Sequence, residues 1–170
     1  IKSNSNVLFI IAAGNNGADN DVEPHFPAAL NLSNSITVAA LDNNDKLADF
    51  SNYGKKSVQV ATKGVSIVST VPRNKKAPLS GTSQAAPDVA NVAVQIISAN
   101  PDLLPYEIKK IISETVDEKS IFKEKLTSSG IINKKRAKIA ADYTKFFPIS
   151  AAIKLAYSKL PMEEDKPLVN

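Results

Sequence analysis

An α/β layered fold with a mainly parallel sheet is what this sequence predicts, and three observations carry the prediction. Two apolar runs, Val7–Ala13 and Ser35–Leu41, are continuous rather than alternating, the pattern of strands covered on both faces. Apolar residues after Ser83 instead fall three and four apart, the spacing of a helix with one buried face. At 170 residues, 43% of them apolar and 22% charged, the chain is long enough for one domain with a core of its own. Buried strands alternating with helices in this way build a layered α/β sheet.

Each element follows from its residues. The run Val7-Leu8-Phe9-Ile10-Ile11-Ala12-Ala13 stops at Gly14 and predicts the first strand. A polar loop, Asn15–Glu23, follows, with Asn16-Gly17 as its turn signal. Ser35–Leu41 predicts a second strand and Asp42–Lys46 a turn. Ser57–Ala61 alternates and predicts a third, shorter strand, and the stretch Val65–Val71 beyond Lys63-Gly64 is again β-rich. From Ser83 to Ala99 the residues Ala86, Val89, Ala90, Ala93, Ile96 and Ile97 mark one helical face. Thr82 is the expected N-cap, and Pro87 is expected near the first turn, where its missing N–H is tolerated. Asn100-Pro101 ends this helix, and a second is predicted from Pro105 to Val116 with Ile108, Ile111 and Ile112 on one face. Ser129–Lys134 predicts a last short strand and Lys135–Tyr143 a helix. Residues 1–142 read as one unit, and residues 143–170 as a helical extension with a tail that frays over Met162–Pro167. Phe146, Phe147, Ile149, Ile153 and Leu155 are expected to pack back on the body.

Composition narrows the function. With no cysteine, disulfides, thiolate metal sites and a cysteine nucleophile are excluded. The formal charge of +4 is modest, and the basic clusters Arg73–Lys76 and Lys134–Arg136 lack the interleaved aromatics that stack bases. They read as solvated faces, and no nucleic-acid partner is expected. The longest apolar run is far too short to span a bilayer. Ile1 is not an initiator methionine, so targeting signals are not expected to be legible in this chain.

The chemistry-bearing segment is Ser80-Gly81-Thr82-Ser83-Gln84-Ala85-Ala86-Pro87-Asp88-Val89. It sets a serine at the start of an apolar helix, where free N–H groups and the macrodipole favour the negative charge that acyl transfer develops. Gly81, Ala85 and Ala86 are small enough for a substrate backbone to approach. Asn15, at the end of a buried strand, is placed to aim its amide at such a charge. Taken singly, Ser83 also reads as a helix cap and Asn15 as a turn residue of Asn-Asn-Gly.

Several segments, in order, resemble the subtilisin-like serine proteases. Ala12-Ala13-Gly14-Asn15 is similar to the family's Ala-Ala-Gly-Asn, Phe26-Pro27-Ala28 to its Tyr-Pro-Ala, and Ser35–Leu41 to the strand that follows. Ala48-Asp49-Phe50-Ser51-Asn52-Tyr53-Gly54 resembles Ala-Xaa-Phe-Ser-Asn-Xaa-Gly, and Ala61–Ile67 is near Ala-Pro-Gly-Val-Xaa-Ile. Gly81-Thr82-Ser83, with Ala85, Pro87 and Val89, resembles the nucleophile motif, and Gly130–Asn133 with Ala137 the family's last motif. The resemblance covers Val7 to Ala141.

It implies a three-layer subtilisin-like fold and an endopeptidase that hydrolyses peptide bonds through an acyl-enzyme. Ser83 would be the nucleophile, its own N–H and the Asn15 amide the oxyanion donors. Ala12, Ala13 and Gly14, with Thr82, would contact the substrate. The family's triad runs in the order Asp, His, Ser. Both partners are therefore expected before Asn15, in an upstream part of the domain that would be this chain's partner. This chain alone would be inactive, and poorly stable through the exposed edge of its first strand. His25, the one histidine, follows Asn15 and reads as a pocket-rim or exposed loop residue rather than the base. Asp19, Asp21, Asp49 and Asp88 read as structural or solvated.

Asp88 stands where the family has His, Asn91 where it has Gly, and Lys63 where it has Pro. Asp42-Asn43-Asn44-Asp45 hints at calcium, but Lys46 and Leu47 occupy positions where an EF-hand needs a ligand and a glycine, so a turn is expected. No cofactor and no metal site is implied for this chain, and the family implies a secreted or cell-surface setting. The rival reading is a non-catalytic module of the same fold that binds peptides or serves as a scaffold.

Overall fold

The computed structural model of the chain describes residues 1–162. In chain order it holds β1 (Phe9–Ala12), β2 (Ser35–Leu41), β3 (Val60–Lys63), β4 (Ile67–Val71), β5 (Lys75–Leu79), α1 (Thr82–Ala99), α2 (Pro105–Glu114), β6 (Asp117–Glu118), β7 (Gly130–Ile131), α3 (Lys134–Tyr143) and α4 (Ile149–Lys159). The main sheet runs β1-β2-β3-β7-β6, parallel from β1 through β7 and antiparallel only at β6. β4 and β5 form a separate antiparallel hairpin.

Every residue of β2 is buried, as the continuous apolar run requires of a strand with neighbours on both sides. Its side chains alternate between two cores. Ile36, Val38 and Ala40 join Ala85, Val89, Val92 and Ile96 of α1, Ile108, Ile111 and Ile112 of α2, Ala140 of α3 and Ile153 of α4. Ala39 and Leu41 point the other way, to Ala13, Val58, Ala61, Phe122 and Leu126. The four helices thus share one face of the sheet. The opposite layer is built by irregular chain around a 3-10 turn, Ser120–Phe122, rather than by helices. Each large side chain fully buried in the helical core contributes about 1.5–3 kcal/mol.

Several boundaries differ from the sequence prediction, each for a local reason. The third strand starts at Val60, not Ser57. Ser57 gives its N–H to Asp21 Oδ1 (3.0 Å), and the Gln59 side-chain oxygen takes the Thr37 N–H (2.7 Å) that a ladder carbonyl would otherwise accept. β7 is only two residues long because Asn133 turns to cap α3, its Oδ1 accepting the Arg136 N–H at 2.8 Å. α2 stops at Glu114, where Thr115 Oγ1 donates back to the Ile111 carbonyl (2.7 Å). α1 starts one residue early: Gly81, not Thr82, is its N-cap, and Pro87 lies in its second turn. Pro87 has no N–H to offer the Ser83 carbonyl one turn back. The strand β5 was not foreseen, since Lys75-Lys76-Ala77-Pro78-Leu79 carries no strand pattern.

Beyond α3, Ile153 and Ala156 of α4 are buried and Ile149 packs against the core. Phe146, Phe147 and Leu155 remain exposed, against expectation, with the Phe147 ring set edge to face against Tyr143 at 6.3 Å. The expected fraying from Met162 to Pro167 falls, after Met162, outside the described residues. No helix among them is long and apolar enough to cross a membrane.

Candidate active site

The carboxyl ends of the parallel strands are where an open α/β sheet presents its loops, and Asn15, Gly64 and the head of α1 meet there. The Gly81 N–H donates to the Gly64 carbonyl (2.8 Å), tying the segment before α1 to the end of β3. Gly64 must be small for this: a Cβ would fall 2.6 Å from Ala40 Cβ and 2.9 Å from the Gly81 carbonyl.

From the other side, β1 delivers Ala12, Ala13, Gly14 and Asn15. Ala13 donates to the Val38 carbonyl (3.0 Å) and is wholly buried, and Ala12 is half-buried. Gly14 turns the chain at φ +115°, where a Cβ would meet the Asn52 amide at 2.5 Å. Its N–H donates to Thr82 Oγ1 (3.2 Å). Asn15 Oδ1 in turn accepts two hydrogen bonds from Thr82, from N (2.9 Å) and from Oγ1 (3.0 Å).

These two donors decide which way the Asn15 amide faces. Its oxygen must lie toward Thr82, so Nδ2 faces away from Thr82, and among the described residues it donates no hydrogen bond. Ser83 is exposed one residue further on, in the first turn of α1, with an N–H that has no partner inside the helix. An exposed hydroxyl and an unpaired backbone N–H thus lie one residue from the Thr82 that holds the Asn15 amide, groups of the kind that can attack a carbonyl and receive charge on its oxygen.

The loop that carries Asn15 is clamped by residues the sequence reading did not single out. Asn52 Oδ1 accepts the N–H groups of Asn16 (2.8 Å) and Ala18 (3.2 Å), and its backbone N–H donates to the Gly14 carbonyl (2.9 Å). Asn52 Nδ2 donates to Asn20 Oδ1 (3.0 Å), and Asn20 Nδ2 to the Ala13 carbonyl (2.9 Å). Both asparagines are buried. The Phe-Ser-Asn-Tyr-Gly motif was the available signal for Asn52, whereas nothing in the sequence marks Asn20.

His25 is exposed, its ring edge 3.2 Å from where a Cβ on Gly14 would lie, at the rim of the Gly14 turn. No carboxylate among the described residues pairs with it, and Ser83 Oγ makes no hydrogen bond there. Asp88, one turn along α1, accepts from Thr62 Oγ1 (2.8 Å) and pairs with Lys134. Asn91 accepts from Gln95 (2.6 Å), and Lys63 reaches the Asp42 carbonyl (2.8 Å) and Asp45 (2.6 Å). Asp42 Oδ1 accepts the N–H groups of Asn44 and Lys46, which closes the turn. Asp21 accepts from Lys56 and Ser57, and Asp19 from Asp21.

The Subtilase family model matches residues 1–139. A thermophilic serine proteinase of Bacillus sp. (strain AK1) is 41% identical over 115 residues, covering 68% of this chain and 27% of that protein. Subtilisin-like protease 2 of Plasmodium falciparum is 33% identical over 130 residues, 74% of this chain and 10% of that protein. A solved subtilase cytotoxin chain superposes with a TM-score of 0.71 at 27% identity, covering 94% of this chain and 53% of that one. The chain therefore spans about half or less of the length of these relatives. Matched over most of its residues, with a mostly parallel sheet and a Gly-Thr-Ser at the head of its longest helix, the chain belongs to the subtilase family of serine proteases.

Proposed function

We propose that the chain is the C-terminal part of a serine endopeptidase catalytic domain that cleaves peptides or proteins at Ser83. Ser83 Oγ attacks the scissile carbonyl, and the acyl-enzyme is then released by water. The Ser83 N–H and Asn15 Nδ2 receive the oxyanion, Thr82 holds the amide in place, and Ala12, Ala13 and Gly14 line the substrate strand. A serine hydroxyl needs a base. In the family order that base and the aspartate orienting it precede Asn15, which assigns them to an upstream part of the domain. Action outside the cell or at its surface belongs to the same reading.

One observation carries it: Asn15 Oδ1 is engaged twice by Thr82, which leaves Nδ2 as the free donor next to an exposed serine. Removing a single oxyanion donor costs ~10²–10³ in kcat, a magnitude that comes from subtilisin, a relative, and is carried over from there. Asn15→Ala in the intact protein is expected to show a loss of that size with KM little changed.

The test is intact mass after exposure to a fluorophosphonate. The 170-residue chain alone is expected to take no adduct, and the same chain joined to its upstream segment to take one that Ser83→Ala abolishes. An adduct on the chain alone would place the base within it and return His25 to that role. No adduct even with the upstream segment would favour the non-catalytic module.

A further inference from the structure

Charge is segregated along the sequence that leads to Ser83. From Phe50 to Pro87 the sequence has six cations, Lys55, Lys56, Lys63, Arg73, Lys75 and Lys76, and no carboxylate. Lys55 is tied to Glu124 and Lys63 to Asp45. Three of the others, Arg73, Lys75 and Lys76, crowd one end of the β4–β5 hairpin, where all are exposed and none pairs with a carboxylate among the described residues.

The hairpin is poorly explained as a piece of the core. It stands apart from the main sheet, and its outward face carries Val68, Thr70, Lys76 and Pro78, with Val68 67% exposed. Its tip holds Arg73 at φ +66° and Asn74 at φ +55°. Glycine would adopt the first of these without strain, so the tip carries an arginine at a conformational cost. The base of the hairpin is fixed to the site: Ser66 N–H donates to Ser80 Oγ (3.0 Å), and Gly81 to Gly64. Lys76 and Ser83 are seven residues apart, so they are separated by no more than about 25 Å.

We infer that the β4–β5 hairpin is a docking surface for an acidic stretch of the substrate polypeptide. The inference rests on the endopeptidase reading and deepens it by naming a substrate class. Arg73, Lys75 and Lys76 attract carboxylates lying within about seven residues of the scissile bond, while Val68 and Pro78 offer apolar contact to the chain between. Charge complementarity selects this occupant; with no aromatic side chain between Tyr53 and Tyr106, the hairpin has no platform for bases.

The experiment is fluorescence anisotropy on the intact protein carrying Ser83→Ala, so that bound peptide is not cut. Two labelled peptides are compared, one with four glutamates and one with glutamines in their place. The acidic peptide is expected to bind about tenfold tighter at low salt, and the preference to vanish toward 1 M salt, where the Debye length is about 3 Å. The triple variant Arg73→Gln, Lys75→Gln, Lys76→Gln should lose the preference. A matched variant, Lys135→Gln, Lys154→Gln, Lys159→Gln, removes the same charge from exposed positions of α3 and α4 and should keep it. Arg73→Lys should also keep it.

Equal binding of both peptides, or a preference that the hairpin variant retains, overturns the inference. So does tighter, hairpin-dependent binding of single-stranded DNA or of phosphatidylserine vesicles. A protein that prefers the acidic peptide but never reacts with a fluorophosphonate refutes the endopeptidase reading and leaves an acidic-peptide module. One that reacts without the preference refutes only this inference.

Discussion

Thr82 does two jobs with one hydroxyl: Oγ1 accepts the buried Gly14 N–H and donates to Asn15 Oδ1. Thr82→Val keeps the shape and removes both bonds. The Gly14 N–H is left without its partner, which costs about 1–3 kcal/mol, and the Asn15 amide keeps only the Thr82 backbone donor. The expected outcome in the intact protein is a drop in kcat with KM nearly unchanged, together with a lower urea midpoint; Thr82→Ser should recover most of both. If KM rises and kcat holds, the hydroxyl serves substrate binding and not the amide's orientation. At this scale the sequence is only half legible. Ser83 and Asn15 stand in recognisable motifs, but the bond from Gly14 to Thr82 crosses 68 residues, and no local pattern reports it. For the same reason the Asn20–Asn52 pair could not be read: each asparagine alone looks like a turn residue, and only the fold brings them to 3.0 Å.

Arg136 shows how an element can be held by one side chain. It is wholly buried, and its guanidinium donates to the carbonyls of Thr115 (3.1 Å), Val116 (2.9 Å), Leu160 (2.8 Å) and Pro161 (3.0 Å) and to Asp117 (2.8 Å), with Tyr157 stacked at 4.5 Å. It therefore joins the end of α2 to the end of α4. Arg136→Met fills similar volume but takes the donor from four carbonyls, of which Val116 keeps the Tyr157 hydroxyl (3.1 Å), and leaves Asp117 without its cation; it is expected to cost ~3–5 kcal/mol in urea denaturation. Trypsin should then cut faster at Lys145, ahead of the loosened α4; an unchanged rate would mean that Ile153 and Ala156 hold the helix unaided. Burial pushes the Tyr157 phenol above its ordinary value, with the Arg136 charge pulling the other way. The folded chain thus keeps this proton more firmly than the unfolded one. Its contribution is complete below about pH 10 and is lost as the pH climbs from there through the raised folded value. Tyr157→Phe should flatten the fall in urea midpoint between pH 9 and pH 11, and an equally steep fall would assign the alkaline loss to other groups. Their strong hydrophobic periods make the elements α1, α2 and β2 legible in the sequence. β5 is not, because Lys75 and Pro78 become strand residues only through pairing with Val71 and Val68. The share of α4 in the core is legible in part: Ile149 and Ile153 pack as expected, while Phe146 and Phe147, which precede the helix, stay in solvent and small Ala152 and Ala156 are buried without any pattern to mark them.

At the scale of the whole molecule, among the described residues, the main sheet lies open along β1, and the register of that edge can be read. β1 pairs with β2 alone, and its four residues are only half-buried where those of β2 are buried throughout. Phe9 and Ala13 donate to the carbonyls of Asn34 and Val38. By the two-residue period of a strand, the N–H groups of Ile10 and Ala12 then face the open edge. That edge carries unpaired backbone beside Phe9, Ile10 and Ile11, with no lysine, proline or bulge to blunt it, which is the arrangement that recruits another strand. In the proposed reading its natural occupant is the remainder of the catalytic domain. The 170-residue chain on its own is therefore expected to self-associate, with multi-angle light scattering giving a mass that rises with concentration above 18.2 kDa. Phe9→Lys puts a charge beside the edge without touching the ladder to β2, and should return the chain to monomer. Adding the upstream segment in trans should do the same, because the edge is then filled, and should restore fluorophosphonate labelling at the same stoichiometry. A chain that stays monomeric at every concentration would show that β1 is already covered by the chain's own residues. The half-burial of Phe9–Ala12 would then need another cause than a missing neighbour.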